Sequence, residues 1–476
     1  MSVSDDVLFA SVREQGRLLA SRALSSVELT TASLERLETI GPRLNAVVTV
    51  TRDLALAQAK QADAERAAGK VRGPLHGIPY GAKDLLATKG IPTTWGAEPY
   101  REQVFDYDAT AVERLRVAGA VLVGKLAMVE LAGGMGYTNP DASFTGPGRT
   151  PWNPDYWSGG SSSGSGSATA AGLVGFAIGS ETSGSILTPA SFCGLSGLRP
   201  TYGLVSRHGA MALCWTLDKL GPLCRTADDC GLVLQAIAGP DPKDPTTGER
   251  FAWTRPAMNR KFRLGVLKDA TARAQPEVAA NFEASLTALS SFCTIERDVV
   301  FPDFPWGAAV GLIVDAEGGA AFRELIESGG SRKLKAPSDR FGGYVSLMTL
   351  AVDYLEAMRA RVPMRAALDA LLSKYDALVC PTRGAVAAPI GYDFDKPPVP
   401  PPTYPDGTPN PPATVPAGNL AGVPALCVPN GFGANGLPTS LQLIGRAFSE
   451  ATLLAIGDRY QHATDWHARR PPLARS

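Results

Sequence analysis

At 476 residues, 45% of them hydrophobic, the chain can bury a sizeable core as two average domains or one large α/β unit, with no need of disulfide or metal staples. Lys plus Arg and Asp plus Glu balance at 46 each, which argues against a nucleic-acid or anionic-membrane surface and favours a small neutral substrate. Seven scattered cysteines without a Cys-x-x-Cys pair argue against a disulfide framework or structural zinc site and read as buried thiols.

The N-terminus, Met1-Ser2-Val3-Ser4-Asp5-Asp6, is acidic and leads into an amphipathic helix rather than the apolar core of a signal peptide. The longest apolar run, Ala168 to Gly179, is too short and too Gly-rich to span a bilayer. A cytoplasmic protein is expected. Residues 5–70 read as a helical layer, with a capping box at Ser25 and Glu28 opening a helix through Ile40, and an Ala-rich helix around Asp53 to Lys70. From Leu75 the texture changes to short apolar strands broken by Gly and Pro and alternating with helices: a strand at Gly77 to Ala82, a helix at Ala109 to Ala118, a strand at Ala120 to Val123. That alternation predicts a mostly parallel or mixed sheet covered on both faces. A helix follows at about Val278 to Ser290, a long helix at Leu347 to Tyr375, strands at Ala377 to Cys380 and Ala425 to Pro429, and a last helix at Ser449 to His462. Lys396 to Pro412, Pro-rich around Tyr404 and Asp406, is expected to be a loop over the site. No repeat or long linker divides the chain, so one α/β unit over 1–476 is expected, its core at about 75–230.

Two nucleotide-binding patterns fail on context. Gly119-Ala-Val-Leu-Val-Gly124-Lys125 has Leu126 where a phosphate loop needs Ser or Thr, and reads as a turn before a buried strand. Gly431-Phe-Gly433-Ala-Asn-Gly436 is followed by Leu437-Pro438 instead of a helix, which makes it a turn between strands. The hydroxyl-rich stretch from Ser158 to Pro189 carries more. Two tight Ser/Gly loops, Gly159-Gly160-Ser161-Ser162-Ser163-Gly164-Ser165-Gly166 and Glu181-Thr182-Ser183-Gly184-Ser185, bracket one buried element and point to a serine nucleophile with an oxyanion pocket. Gly160-Ser161-Ser162-Ser163-Gly164 also fits a nucleophile elbow at Ser162, an esterase-type alternative. That elbow needs a strand before it, and the Pro-broken Trp152 to Ser158 is a poor one. Of four histidines, His76, His208, His462 and His467, the last two read as surface or packing residues. A lysine kept neutral by burial is the other base that could deprotonate a serine, and Lys83, at the end of an apolar strand, is the candidate. A solvated side chain is the commoner fate of a lysine. On residue type alone, the choice stays open.

Three segments together, Gly77-Ile78-Pro79-Tyr80-Gly81-Ala82-Lys83-Asp84, the loop from Gly159 to Ser165, and Glu181 to Ile186 followed by Phe192-Cys193-Gly194-Leu195-Ser196-Gly197-Leu198-Arg199-Pro200-Thr201, strongly resemble the amidase signature family. Pro151-Trp152-Asn153 and Asn419-Leu420-Ala421-Gly422-Val423-Pro424-Ala425 extend the resemblance, which runs from about residue 10 to 467. It implies a large mixed α/β sheet and an amidohydrolase without metal or organic cofactor, cleaving carboxylic amides, with aryl esters, anilides and carbamates as further candidates. It also implies a triad of Lys83 as base, Ser161 as relay behind a cis peptide bond from Gly160, and Ser185 as nucleophile. The N–H groups of Thr182, Ser183, Gly184 and Ser185 form the implied oxyanion hole, and Met128, Gly133, Gly134, Met135 and Tyr137 the implied acyl pocket. The expected partner is a small-molecule amide, with no nucleic acid and no membrane, the protein being a monomer or homodimer. The chain departs from the family pattern at Ser163, Glu181, Ser183 and Leu187. Leu187 replaces a frequent Arg, which is expected to remove a cation from the site and leave Glu181 without that partner. The Tyr/Gly-rich helix of the transamidating subunits is not evident between 340 and 365, so the alternative of an amidotransferase A-type subunit is disfavoured.

Overall fold

In the computed structural model, which describes residues 3–136, 138–255, 259–394, 396 and 407–474, eleven strands form one mixed sheet. They are β1 (Val47–Val50), β2 (Pro79–Lys83), β3 (Val121–Leu126), β4 (Phe176–Glu181), β5 (Ser196–Arg199), β6 (Lys219–Cys224), β7 (Phe262–Leu267), β8 (Cys293–Val299), β9 (Ala377–Pro381), β10 (Ala425–Phe432) and β11 (Pro438–Ile444). The order across the sheet is β1-β3-β2-β4-β6-β5-β10-β11-β9-β7-β8. β2 runs parallel to both β3 and β4, and β7 parallel to both β8 and β9, while the remaining pairs are antiparallel. The α/β class with helices on both faces is the architecture the alternating pattern predicts.

The N-terminal layer is helical with one exception. Ser25 accepts from the Glu28 N–H at 3.1 Å and Glu28 returns the bond to the Ser25 N–H at 2.9 Å, opening the helix Ser26–Thr39 as its sequence predicts. Between that layer and the helix Arg52–Ala67, however, Val47–Val50 leaves to pair with β3 and becomes the sheet's edge. Four residues are too few to carry a visible period.

The Ser/Gly stretch folds as a short helix, Ser163–Ala170, every residue of which is buried. Its small side chains are a consequence of space. A Cβ on Gly164 would lie 2.3 Å from the Ala46 carbonyl oxygen and 2.5 Å from the Ala127 nitrogen. Its hydroxyls cap backbone carbonyls: Ser163 Oγ donates to Ala127, Ser165 Oγ to Ile178 and Ser167 Oγ to Arg149. Buried polar groups satisfied in this way cost little. β4 follows, then the Thr182–Ile186 turn, then the helix Leu187–Cys193, so the two hydroxyl loops lie on either side of β4.

The long C-terminal-half helix is shorter than its pattern implies, Ala351–Leu372, and carries Pro363 inside it. A separate helix, Asp339–Ser346, precedes it and holds Gly342-Gly343-Tyr344. Its glycines are needed for contact: a Cβ on Gly342 would lie 2.1 Å from the Met135 carbonyl oxygen. Lys396 is exposed, while Tyr404 and Asp406, in the middle of the expected loop, lie outside the described residues.

Candidate active site

Lys83 is the last residue of β2 and is fully buried. Its Nζ lies 2.8 Å from Ser161 Oγ and 2.8 Å from Ser180 Oγ, and among the described residues no carboxylate is in ion-pair contact with it. Burial lowers its pKa from 10.5 to about 7, against a partial opposing pull from Asp218 and Glu181. A lysine in this state holds a usable lone pair at neutral pH.

Ser161 follows Gly160 through a cis peptide bond, and its carbonyl accepts the Val129 N–H at 3.0 Å. The next residue, Ser162, is tied down: its Oγ donates to the Ser180 carbonyl and accepts from the Ser180 N–H, both at 3.2 Å. Its own N–H donates to the Ser185 carbonyl at 3.3 Å, which links the two hydroxyl loops. Among the described residues no strand runs directly into Ser162 and no histidine hydrogen-bonds it. The geometry of a nucleophile elbow is therefore absent at Ser162.

Ser185 closes the turn after β4. It is 9% exposed, and among the described residues its Oγ forms no hydrogen bond, so Lys83 and Ser161 are joined directly while Ser161 and Ser185 are not. The turn presents a row of donors. The N–H groups of Thr182, Ser183, Gly184 and Ser185 bond no acceptor among the described residues, whereas those of Ile186 and Leu187 are both taken by Glu181, at 2.9 and 3.0 Å. Unused backbone donors beside a hydroxyl can receive developing negative charge on an oxygen. Gly184, at φ +95°, sits where a side chain would be strained and would also press within 2.8 Å of the Arg383 guanidinium.

Glu181 is not left unpaired by the loss of Arg at 187. Arg199, fully buried on β5, reaches it at 3.2 Å, and Asn419 donates to the same oxygen at 2.8 Å. Burial pushes this carboxyl up, but Arg199, Asn419 and the two backbone donors outweigh that and hold it below its ordinary value. Nor does Leu187 remove the local cation. Arg383, just after β9, donates to Thr188 Oγ1 beside the turn. Asp218 steadies the other side, accepting Thr182 Oγ1 at 2.6 Å and the N–H groups of Leu213 and Cys214 at 2.9 and 2.8 Å.

Two cavities flank the turn. One, lined by Ser180, Thr182, Ala132, Met211, Asp218 and His208 among others, has a volume of about 460 Å³. On the other side Gly160, Ser183, Thr188 and Arg383 face Trp157, Phe192, Tyr392 and Phe394 across an aromatic-walled cavity. The run from Met128 to Met135 is placed differently from its expected role. Met128 and Met135 are packed in the core, and neither they nor Gly133 and Gly134 line these cavities. Gly342 closes over Met135 and Leu213 over Gly134; of this run Ala132 lines one of these cavities, and Tyr137 lies outside the described residues.

A family model described as amidase matches residues 28–454. The chain belongs to the amidase signature family. Among related proteins, the A subunit of the glutamyl-tRNA(Gln) amidotransferase of Roseiflexus sp. (strain RS-1) is 39% identical over 480 residues, spanning 94% of this chain and 95% of its own. The peptide amidase of Stenotrophomonas maltophilia, a solved structure, superposes with a TM-score of 0.83 at 32% identity, covering 97% of this chain and 98% of that one. The A subunit of the Thermotoga maritima glutamyl-tRNA(Gln) amidotransferase superposes with a TM-score of 0.77 at 29% identity, covering 96% and 95%. As a member of this family the chain is an enzyme of the hydrolase and amidotransferase kind. Among the described residues no helix is long and apolar enough to cross a membrane.

Sequence reasoning missed Ser180, Asp218, Arg199, Asn419 and Arg383. Their signal lies in strand pairing and long-range packing, since Asn419 stands 238 residues from the Glu181 it braces.

Proposed function

We propose that the protein hydrolyses carboxylic amides through an acyl-enzyme on Ser185. The observation that carries this reading is the contact of a buried Lys83, with no carboxylate in ion-pair contact among the described residues, with Ser161. In the proposed cycle Ser185 Oγ attacks the amide carbonyl carbon, its proton passes to Ser161 Oγ, and the Ser161 proton passes to neutral Lys83. The carbonyl oxygen takes up negative charge and is received by the free N–H groups of Thr182 to Ser185. As the intermediate collapses the C–N bond breaks, and the proton returns from Lys83 through Ser161 to the departing nitrogen. Water, deprotonated by the same relay, then cleaves the ester and releases the carboxylic acid. The Ser161 to Ser185 link tightens as the substrate settles; catalytic hydrogen bonds are commonly long before it binds.

The aromatic walls at Trp157, Phe192, Tyr392 and Phe394 favour an amide bearing an apolar or aromatic group, and Arg383 beside the turn favours a polar or anionic end. The resemblance to peptide amidase supports this hydrolytic reading. A second reading, an amidotransferase component that works within a complex, is favoured by the 39% identity to the Roseiflexus amidotransferase chain. Assaying the purified chain alone on simple amides, without ATP or partner, separates the two: robust turnover is expected, and turnover that appears only with added partner subunits would overturn the hydrolytic reading.

A further inference from the structure

A strained turn stands behind Ser161, and two buried acids hold it. The Val129 N–H donates to the Ser161 carbonyl at 3.0 Å, and Val129 Cγ2 packs so close to Gly160 that a Cβ there would lie 2.7 Å from it. Leu131 and Ala132 take φ of +51° and +57°, left-handed conformations that a side chain disfavours and that surrounding contacts must enforce. Glu130, 1% exposed, stands between Val129 and this pair. Its two carboxylate oxygens accept the N–H groups of Lys335 and Ala336 at 2.8 and 2.9 Å, which ties the turn to the segment entering the helix Asp339–Ser346. Asp339, fully buried, hydrogen-bonds the same carboxyl.

Two carboxylates offer each other no donor, so a hydrogen bond between two such groups contains a proton. Both Glu130 oxygens already accept backbone donors. Asp339 Oδ1 accepts Ser338 Oγ at 3.3 Å, and Oδ2 has no donor among the described residues, which places the proton on Oδ2. Among the described residues no cation compensates the pair: Lys335 and Arg340 are exposed, and Arg340 Nε donates to the Leu334 carbonyl at 2.9 Å. Burial and the charge of Glu130 hold the Asp339 carboxyl far above the ordinary carboxylate range. On the reading that Ser161 relays to Ser185, we propose that Asp339 is a positioning residue for the reaction: it shares one proton with Glu130, and that proton keeps the Val129 turn seated against Ser161. With the proton removed, two buried charges repel across the joint and Ser161 loses its anchor.

The rate at which a fluorophosphonate labels Ser185 in the full chain, followed from pH 6 to 10, tests this without knowledge of the substrate. In the parent the rate is expected to rise through about 7 and to fall again through about 9. Asp339→Asn, whose amide donates to Glu130 and has no proton to lose in this range, keeps the rise and abolishes the fall. Asp339→Leu, which fills the space without a donor, is expected to label about tenfold more slowly below the fall. The infrared carbonyl band of a protonated carboxyl, taken as parent minus Asp339→Asn, is expected at pH 7 and disappears with the midpoint of the fall. A missing band, a parent rate that does not fall, a fall that persists in Asp339→Asn, or Asp339→Leu labelling at the parent rate would each overturn the proposal. The expected pattern in a chain without amide turnover would support it and overturn the amide reading alone.

Discussion

Two lysines on neighbouring parallel strands are both fully buried, and their surroundings give them opposite fates. Ala82 is the register partner of Lys125, so Lys125 and Lys83 leave the sheet on opposite faces. Lys125 Nζ meets Asp84 at 3.0 Å and Thr93 Oγ1 at 2.6 Å. Burial lowers its pKa, and Asp84 pulls it back up. Among the described residues Lys83 Nζ bonds only hydroxyls, and burial takes it to about 7. The same residue type at the same depth is an ion-pair member where a carboxylate faces it and, in the proposed mechanism, the proton acceptor where none does.

Substitutions can break this contrast at graded cost. Ser185→Ala, which removes the proposed nucleophile, is expected to lower kcat for amides on the order of 10⁵- to 10⁶-fold, read by steady-state turnover. Lys83→Ala is expected to cost about 10²- to 10⁴-fold in kcat, the usual worth of a general base. Lys125→Met should behave otherwise: it leaves Asp84 charged and unpaired in the core, lowering stability by about 3–5 kcal/mol in denaturant melts, while the protein that remains folded keeps its pH profile. Ser180→Ala removes one of the two hydroxyls at Lys83 Nζ and is expected to slow turnover about tenfold, the worth of a single hydrogen bond.

Stability carries the same signature with a definite sign. Unfolded, Lys83 has its ordinary pKa of 10.5; folded, about 7. Between those values the unfolded chain binds the extra proton, so stability from this group rises with pH over that window. Lys83→Met removes that dependence. Its stability relative to the parent is therefore expected to fall by about 1 kcal/mol per pH unit as pH rises from 7 toward 10, measured in parallel denaturant melts.

The sequence made legible what local chemistry dictates. The Ser25 capping box, the strand ending at Lys83 and the two hydroxyl loops are short-range patterns, and the structure has each where the pattern lies. β7 went unread because a short apolar run does not separate strand from buried helix, and β8 because Cys293–Val299 is mostly polar and exposed between its two buried ends, as an edge strand can be. Arg199 and Arg383 went unread for another reason. Their roles exist only once β5 and the residues after β9 are brought beside the Glu181 to Ser185 turn, and a substituted position such as Leu187 says nothing of a cation arriving from elsewhere in the chain. Met128 and Met135 sit in the core, which Met fills as readily as it lines a pocket.

The central claim is that neutral Lys83 activates Ser185 through Ser161. Its most direct test is the pH dependence of inactivation by a fluorophosphonate, with the adduct mapped by mass spectrometry in the parent and in Lys83→Ala. The account predicts a single adduct on Ser185, formed at a rate that rises through a midpoint near pH 7 and loses that midpoint in Lys83→Ala. An adduct on Ser162, or an unchanged midpoint in Lys83→Ala, would contradict it.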